Sequence, residues 1–412
     1  MKRILLILTL FSSSLCVDAQ LGNILNKAKS KINDKIDQKT EKKVDETIDE
    51  TKPAENSGKN DVSTTPAGEN APTASSVKVY SKFDFVPGEK IVVFDDLMQD
   101  AVGDFPDKWN TNASGETVTI DGKPGHWLML NKQGVFMPEF IDSLPDNFTF
   151  EFDLLCDNPG RAWALYTSII TLTDRKYPEQ WQSSASRFTF TVAPQADGNS
   201  TSAIERRKDG VGESGASTST KKFSDKTTPV HVAVWRQKER VRIYFDEEKA
   251  WDLPKVMSTT AKYNSVVYWL QGGSRDANYF ISNLRLAVGA PDTRHKLLTE
   301  GKWITHGILF DVNSANIKAE SYGTLKEIAS VMKENTEVKV KIVGHTDADG
   351  DDKSNMELSK RRAASVKEFL VKEFSIDETR METDGMGESK PVDKNNTPAG
   401  KANNRRVEFV KI

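Results

Sequence analysis

The spacing of the apolar residues changes once along the chain, and this change most constrains the fold. Between residues 79 and 289, runs such as FTFEFDLL, HVAVWR and RVRIYFD alternate apolar and polar residues between Gly, Asn, Asp and Pro turns. From residue 303 onward, the strand-like runs HGILFD, EVKVKIVG and RRVEFVKI are separated by helical spacings. The first pattern predicts an antiparallel β-sandwich, and the second predicts a small α/β domain. We therefore expect a multidomain chain with a sandwich at 79–290, a connector at 291–302 and an α/β domain with a mixed sheet at 303–412.

The size and charge of the chain agree with several domains and argue against one class of partner. A chain of 412 residues exceeds what one hydrophobic core usually organises. Its 57 basic and 60 acidic residues give a formal net charge of −3. A protein that binds nucleic acid usually carries a basic patch or stripe, and this chain has none. Nucleic acid is therefore not expected as a partner.

The first 19 residues have the layout of a cleavable export signal. Two basic residues precede an apolar run from Ile4 to Phe11, and small residues follow before Ala19. The apolar run is far shorter than the roughly 20 residues that cross a bilayer, so no transmembrane segment is expected in the mature chain. A lipid-modified Cys16 is the alternative, but Leu15 occupies a position where such cleavage sites carry a small residue. The sequence therefore predicts an exported protein.

Two segments separate the export signal from the sandwich. Residues 20–50 carry a narrow apolar stripe among Lys, Asp and Glu, which predicts a charged amphipathic helix. This helix can be a solvated spacer, a partner helix or a membrane-surface helix, and the sequence leaves these alternatives open. Residues 51–78 are rich in Pro, Ser, Thr, Ala and Gly, which predicts a disordered linker.

One pair of acids in the sandwich raises the question of catalysis. Glu151 and Asp153 lie two residues apart on a predicted strand, so they share one face of it. Two carboxylates are what retaining glycosidases require. The phenylalanines of FTFEF take the opposite, inward face, so we expect the two acids on a solvated outer face. Cys156, the only cysteine after removal of the signal, is expected to be a buried apolar residue.

The ends of this region, KIVVFDD and YFISNLRLAVG, resemble those of laminin G and concanavalin-like jelly rolls. The resemblance implies a module that binds a glycan, in some cases with calcium. Jelly-roll glycosidases carry a further acid three residues after the aspartate, and Cys156 stands there in this chain. Six aromatic residues are more often core residues in such a fold, although they could include a sugar-stacking platform. These are Trp163, Tyr166, Trp181, Trp235, Trp251 and Trp269.

An arginine lies on the apolar face of the second helix of the α/β domain. The helix is predicted from about Asn355 to Phe374, with Ser354 and Glu357 as a capping box. At about 100° per residue, Arg362 falls within the apolar stripe and Arg361 falls outside it. A half-buried guanidinium needs an anion. That anion can be an internal carboxylate or a bound ligand.

Asp347, at the end of the preceding strand, is one candidate anion. Asp347, Asp349 and Asp351 also suggest a calcium loop, but Gly350 comes two places early and Leu358 stands where an EF-hand has Glu. No metal and no cofactor are therefore expected.

The stretch GHTDADGDDKSNMELSKRRAASV, with ILFDVNSANIK before it and GMGESKPV and NNRRVEFV after it, resembles the C-terminal peptidoglycan-binding domain of outer membrane protein A (OmpA) and its relatives. The resemblance implies that Asp347 and Arg362 hold the diaminopimelate residue of the peptidoglycan stem peptide. The aspartate would bind the ammonium of that residue, and the arginine would bind its carboxylate. The resemblance implies further contacts at Asp311, Asn313, Thr346, Asn355, Arg405 and Arg406.

The resemblance also implies a class of function. We expect a non-enzymatic protein of a Gram-negative cell envelope, in the periplasm and associated with the outer membrane and the cell wall. The sandwich would contact a glycan or an envelope protein. The namesake of the family carries a different, membrane-embedded N-terminal domain, so its pore role is not carried over. Two alternatives remain open: a wall-localised glycan hydrolase with its active site in the sandwich, and a purely structural spacer.

Overall fold

The computed structural model describes residues 83–208, 210–272, 276–289 and 292–412, without the side chains of residues 213 and 214. The described residues belong to one compact unit. The predicted export signal, amphipathic helix and linker lie outside the described residues and stay predictions. In the described part, no helix has both the length and the apolar character needed to cross a membrane.

Residues 90–288 form two antiparallel sheets. The strands are β1 (Lys90–Asp95), β2 (Trp109–Thr111), β3 (Gly115–Val118), β4 (Trp127–Leu130), β5 (Gly134–Pro138), β6 (Asn147–Cys156), β7 (Leu165–Ile170), β8 (Arg187–Ala193), β9 (Ser200–Lys208), β10 (Val211–Thr220), β11 (Val230–Gln237), β12 (Arg240–Phe245), β13 (Glu248–Leu253), β14 (Ser265–Leu270) and β15 (Tyr279–Val288). The eight-stranded sheet has the order β13-β12-β11-β6-β15-β4-β3, with β1 also paired to β15, and the seven-stranded sheet has the order β10-β9-β8-β7-β14-β5-β2. Short 3₁₀ turns occur at Pro159–Arg161 and Pro178–Ser183.

The core between these sheets follows from the alternation in the sequence. Phe148, Phe150 and Phe152 of β6 are fully buried in one apolar cluster with residues from both sheets. Cys156 is buried at the end of the same strand, as predicted. The antiparallel sheets predicted from the sequence are confirmed, whereas the jelly-roll and concanavalin-like assignment stays a prediction.

Residues 293–412 form a four-stranded sheet with helices. The elements are α1 (Thr293–His295), β16 (Lys302–Thr305), α2 (Tyr322–Glu334), β17 (Val340–Gly344), α3 (Asp352–Phe374), β18 (Met381–Gly385), α4 (Pro398–Asn404) and β19 (Val407–Lys411). A π-helical segment, Lys296–Glu300, continues α1, and 3₁₀ turns occur at Ala319–Ser321 and Glu378–Arg380. The strand order is β16-β19-β17-β18, in which only β17 and β18 are parallel, so the predicted mixed sheet is confirmed.

Helix α3 begins earlier than the sequence predicted. Its N-cap is Asp351, whose carboxylate accepts a hydrogen bond from the Ser354 backbone N–H at 3.0 Å. The predicted capping box of Ser354 and Glu357 is therefore wrong, because Ser354 already lies in the first turn. An aspartate at the N-cap satisfies a free backbone N–H and also places negative charge at the positive end of the helix. The predicted end of the helix at Phe374 is confirmed.

The outer face of the eight-stranded sheet is covered by the C-terminal residues and by the segment that precedes β1. A Cβ atom at Gly323 would lie 2.1 Å from the Phe85 carbonyl oxygen, so only glycine permits this approach of α2. The Asn403 side chain of α4 accepts a hydrogen bond from the Ile91 N–H at 3.0 Å and donates one to the Ile91 carbonyl at 2.8 Å. The solvated outer face predicted for the sandwich is therefore wrong at this sheet.

Candidate functional site

Arg362 lies on the buried side of α3, where the helical phase predicted it, and its side chain is half-buried. Its Nε–H donates to the Ser314 carbonyl at 3.0 Å, and its guanidinium carbon lies 4.9 Å from the centre of the Phe310 ring. Among the described residues, no carboxylate oxygen lies within 4.0 Å of its nitrogens. Burial and the charge of Arg405 lower the pKa of Arg362, and Asp347 only partly opposes this shift. The guanidinium is thus held in a site that favours an added anion.

Asp347 does not form the internal ion pair with Arg362 that was one of the two readings of the sequence. Its carboxylate instead pairs with Arg405, whose guanidinium carbon lies 5.3 Å from the centre of the Phe94 ring of β1. Asp347 is 8% exposed and follows the end of β17. The site therefore contains two arginines around one carboxylate, and only one of those arginines is ion-paired with it.

The other two aspartates of the acidic loop have separate structural tasks. Asp349 accepts a hydrogen bond from the Lys401 ammonium at 2.7 Å, which ties the loop to α4. Asp351 caps α3. Each of the three alternating acids thus interacts with a different neighbour, which accounts for their spacing in structural terms.

The remaining predicted site residues occupy different environments. Asp311 and Asn313 are exposed in the turn whose Ser314 carbonyl contacts Arg362. Thr346 is 4% exposed, and its hydroxyl has no hydrogen-bond partner among the described residues. Asn355 is 6% exposed and its amide bridges the acidic loop, donating to the Asp349 carbonyl at 3.1 Å and to the Glu388 carboxylate at 2.6 Å.

Arg406 differs from Arg405 although the two are adjacent. Its guanidinium pairs with Glu408 at 2.7 Å and donates to the Lys390 carbonyl at 2.9 Å, and the residue is 4% exposed. Alternation along the chain toward β19 turns the two side chains to opposite sides. The contact predicted for Arg406 stays a prediction, and its observed partners favour a role in supporting the sheet.

Arg362 and Arg405 open into a cleft of about 360 Å³. Phe310, Val312 and Lys318 line it from the C-terminal domain. Residues of β1, of the loop after β1 and of the loop before β4 line it from the sandwich. The cleft thus lies between the sandwich and the C-terminal domain. The spacing of residues along the sequence could not reveal it.

At the sandwich end of this cleft, Glu151 and Asp153 belong to a buried network of charges. Glu151 is 1% exposed, and it pairs with the Arg285 Nε at 3.0 Å and with His231 Nε2 at 3.2 Å. His231 Nδ1 lies 2.7 Å from Asp153, which also accepts a hydrogen bond from Asn283 at 2.8 Å. Burial acts to raise the pKa of both carboxyl groups, but these cations and hydrogen bonds hold each pKa below its usual range. The expected solvated position of Glu151 is therefore wrong, because the C-terminal domain covers it.

The same network predicts a dependence of stability on pH. Burial lowers the pKa of His231, but its hydrogen bonds and the charges of Asp153 and Glu151 outweigh burial and raise it to about 10. Because the folded pKa exceeds the unfolded value of about 6.5, the stabilisation is complete below about pH 6.5 and is lost as the pH rises toward 10. We expect the free energy of unfolding to fall across this range, by at most about 1.4 kcal/mol per pH unit from this group.

Denaturant unfolding of the wild-type chain and of His231→Gln at several pH values between about 7 and 9.5 measures this contribution. The free energy of unfolding of His231→Gln should fall less steeply with rising pH than that of the wild type. His295→Gln is the matched control, because the His295 side chain is 57% exposed. Its free energy of unfolding should fall with pH like that of the wild type. Equal slopes for the wild type and His231→Gln would contradict the assignment.

Two residues that shape the site were missed by the sequence analysis. Asn403 docks α4 onto β1, and Phe94 covers the guanidinium of Arg405. Both contacts join segments about 300 residues apart in the chain, so no local periodicity signals them. The one available signal was the Asn-Asn pair before the double arginine, since an asparagine amide can satisfy both a backbone donor and a backbone acceptor.

Comparison with known proteins supports the assignment of the C-terminal domain. Residues 309–405 match the OmpA family. Outer membrane porin F of Pseudomonas aeruginosa is 41% identical over 101 residues, which are 24% of this chain and 29% of that protein. The probable lipoprotein YiaD of Escherichia coli is 40% identical over 105 residues, which are 26% of this chain and 48% of that protein. The OmpA-family domain predicted from the sequence is thereby confirmed.

A further relative and one solved structure also match part of the chain. The outer-membrane lipoprotein YfiB of Pseudomonas aeruginosa is 39% identical over 103 residues, 25% of this chain and 61% of that protein. The peptidoglycan-associated lipoprotein from Burkholderia pseudomallei is 28% identical, with 26% of this chain and 88% of that chain covered and a TM-score of 0.24. The chain thus spans less than two thirds of each curated relative named here. Their names agree with the predicted envelope localisation, which is confirmed at that level.

Proposed function

We propose that the protein is a non-enzymatic component of the cell envelope that binds peptidoglycan noncovalently by recognising diaminopimelate with its C-terminal domain. The observation that carries the proposal is the half-buried Arg362 guanidinium, which has a carbonyl and a ring as partners but no carboxylate among the described residues. An arginine fork binds a carboxylate through two parallel hydrogen bonds. The ligand's carboxylate would take this position, and its ammonium would approach Asp347.

The kinship of residues 309–405 with the OmpA family supports the same ligand class. The sequence relatives named above are described as an outer membrane porin, a probable lipoprotein and an outer-membrane lipoprotein. By extension, we place this chain in the periplasm in association with the outer membrane and the wall. The sandwich would be a glycan- or protein-binding module of the jelly-roll type.

The charge network of Glu151 and Asp153 in the sandwich argues against the alternative of a glycan hydrolase. A general acid in a glycosidase needs a raised pKa, whereas the pKa values of Glu151 and Asp153 are lowered by their cationic and hydrogen-bonding partners. Glu151 is also 1% exposed, which leaves no room for a sugar ring beside it. We therefore assign these acids to the packing of the sandwich against the C-terminal domain.

Calorimetric titration of the whole chain with a disaccharide-tripeptide fragment of diaminopimelate-type peptidoglycan tests the proposal. We expect saturable binding that free diaminopimelate competes away, because both ligands present the same ammonium and carboxylate to the site. A folded chain that binds neither the fragment nor the intact wall would overturn it.

A further inference from the structure

The cleft that contains Arg362 has a second wall, which belongs to the sandwich. Phe94 near the end of β1, Asp96 and Met98 after the strand, and Pro124 and Gly125 in the loop before β4 line this side. A volume of about 360 Å³ is within the range of sites for small ligands. A wall fragment bound at Arg362 would therefore have residues of the sandwich within reach.

Several direct contacts fix the position of the sandwich wall relative to the wall that carries Arg362. Asn403 pairs with the Ile91 backbone through hydrogen bonds of 3.0 and 2.8 Å, three residues before Phe94 in β1. Phe94 in turn covers Arg405. On β15, directly opposite Phe94, the Arg285 guanidinium donates to the His306 carbonyl at 3.4 Å. The sandwich wall is thus fixed to the domain that carries Arg362, and the cleft is preformed.

The chemistry of the two walls indicates which part of a ligand fits between them. Met98 is 55% exposed and Val312 is 75% exposed, so each wall offers an apolar side chain to the solvent. Lys318 is exposed on the same side as Arg362 and lines the cleft. Five Lys and Arg residues and three Asp and Glu residues line the cleft, so positive charge is in excess. Exposed apolar groups combined with an excess of cations suit a short peptide that has small apolar side chains and free carboxylates. The peptide stem of peptidoglycan has both, in its alanine methyl groups and its acidic residues.

We propose that the residues of the stem peptide next to the bound diaminopimelate lie in this composite cleft. Their apolar groups contact Met98 and Pro124, and a carboxylate faces Lys318. The inference rests on the proposed function and adds that the sandwich takes part in recognising the wall. It also gives a reason for the close packing of the two domains, since the second wall exists only while they are docked.

Substitutions at Met98 test this inference, and Val102 supplies the matched control. The two side chains are equally exposed, at 55% and 56%, and lie four residues apart, but only Met98 lines the cleft. We expect Met98→Trp, which fills the cleft, and Met98→Asp, which places a carboxylate opposite the anionic stem, to weaken binding of the disaccharide-tripeptide by at least about fivefold. Val102→Trp and Val102→Asp should stay within about twofold of the wild type. Free diaminopimelate should bind the Met98→Asp variant with unchanged affinity, because it lacks the rest of the stem.

The full-chain Arg362→Ala variant, measured in parallel, separates the failure of this inference from failure of the proposed function. If Arg362→Ala loses binding while both folded Met98 variants bind like the wild type, the composite cleft is wrong and the diaminopimelate site stands. If the Val102 variants weaken binding as much as the Met98 variants, or Met98→Asp loses free diaminopimelate as well, the cleft assignment is also wrong. If Arg362→Ala binds normally, the proposed function fails and the inference fails with it.

Discussion

Replacing Arg362 with alanine should lower the affinity for diaminopimelate-type peptidoglycan by at least about tenfold while leaving the protein folded. The expected loss reflects a charge-assisted contact to a carboxylate, worth about 1.5 to 3 kcal/mol. The cost to stability should be small, on the order of 1 kcal/mol, because the side chain gives up one hydrogen bond to the Ser314 carbonyl and a ring contact with Phe310. No buried carboxylate in the described part of the chain loses an ion-pair partner through this change.

Arg361→Ala is the matched control for this experiment. Arg361 is the adjacent residue of α3, has the same charge and is exposed on the other side of the helix. The Arg361→Ala variant should bind peptidoglycan like the wild type. Asp347→Asn should weaken binding and also release Arg405, so it should lower the melting temperature more than Arg362→Ala does. Equal losses for Arg361→Ala and Arg362→Ala would point to nonspecific attraction between positive charge and the wall.

Replacing Glu151 with glutamine should lower the free energy of unfolding by about 3 to 5 kcal/mol. Glutamine keeps the size of the side chain but removes the charge, and it leaves Arg285 and the protonated His231 without their shared anion. Breaking a buried pair by removing one partner is costly, because the remaining charge stays desolvated. Denaturant unfolding of the wild type and the variant near neutral pH measures the difference.

Glu382→Gln serves as the control for Glu151→Gln. Its carboxylate is 63% exposed and lies 4.0 Å from Lys341, so its removal should change the free energy of unfolding by no more than about 0.5 kcal/mol. Replacing Glu151 and Arg285 together by methionine should recover part of the loss, since apolar residues of similar volume leave no unpaired charge at that position. A Glu151→Gln chain that unfolds like the wild type would show that the network contributes nothing to stability.

The sequence predicted those features of the fold that depend on local periodicity. Alternation in β6 placed its phenylalanines in the sandwich core, and the phase of α3 placed Arg362 on the buried side and Arg361 on the exposed side. Both results depend only on residues a few positions apart. The start of α3 was missed by three residues, because the cap is Asp351 and Ser354 forms an equally plausible cap in sequence.

Features that depend on docking between distant segments could not be predicted. Glu151 and Asp153 have the alternation of a solvated face, but Glu151 pairs with Arg285, which lies opposite it on β15 and is 134 residues away in sequence. The C-terminal domain packs over this pair, where the His306 carbonyl contacts Arg285. The sequence left open whether Asp347 pairs with Arg362 or takes part in a ligand site, and it did not reveal the pair with Arg405, which reaches Asp347 from the residue after α4. Long-range contacts of this kind follow from tertiary packing, which overrides local pattern.

The most direct test of the central claim compares two disaccharide-tripeptide ligands that differ only in their third residue, diaminopimelate or lysine. Lysine lacks the second carboxylate, so it leaves the Arg362 guanidinium without its anion. Calorimetric titration of the wild-type chain should give saturable binding of the diaminopimelate ligand and at least about tenfold weaker binding of the lysine ligand. Equal affinity for the two ligands would contradict recognition of diaminopimelate by Arg362 and Asp347.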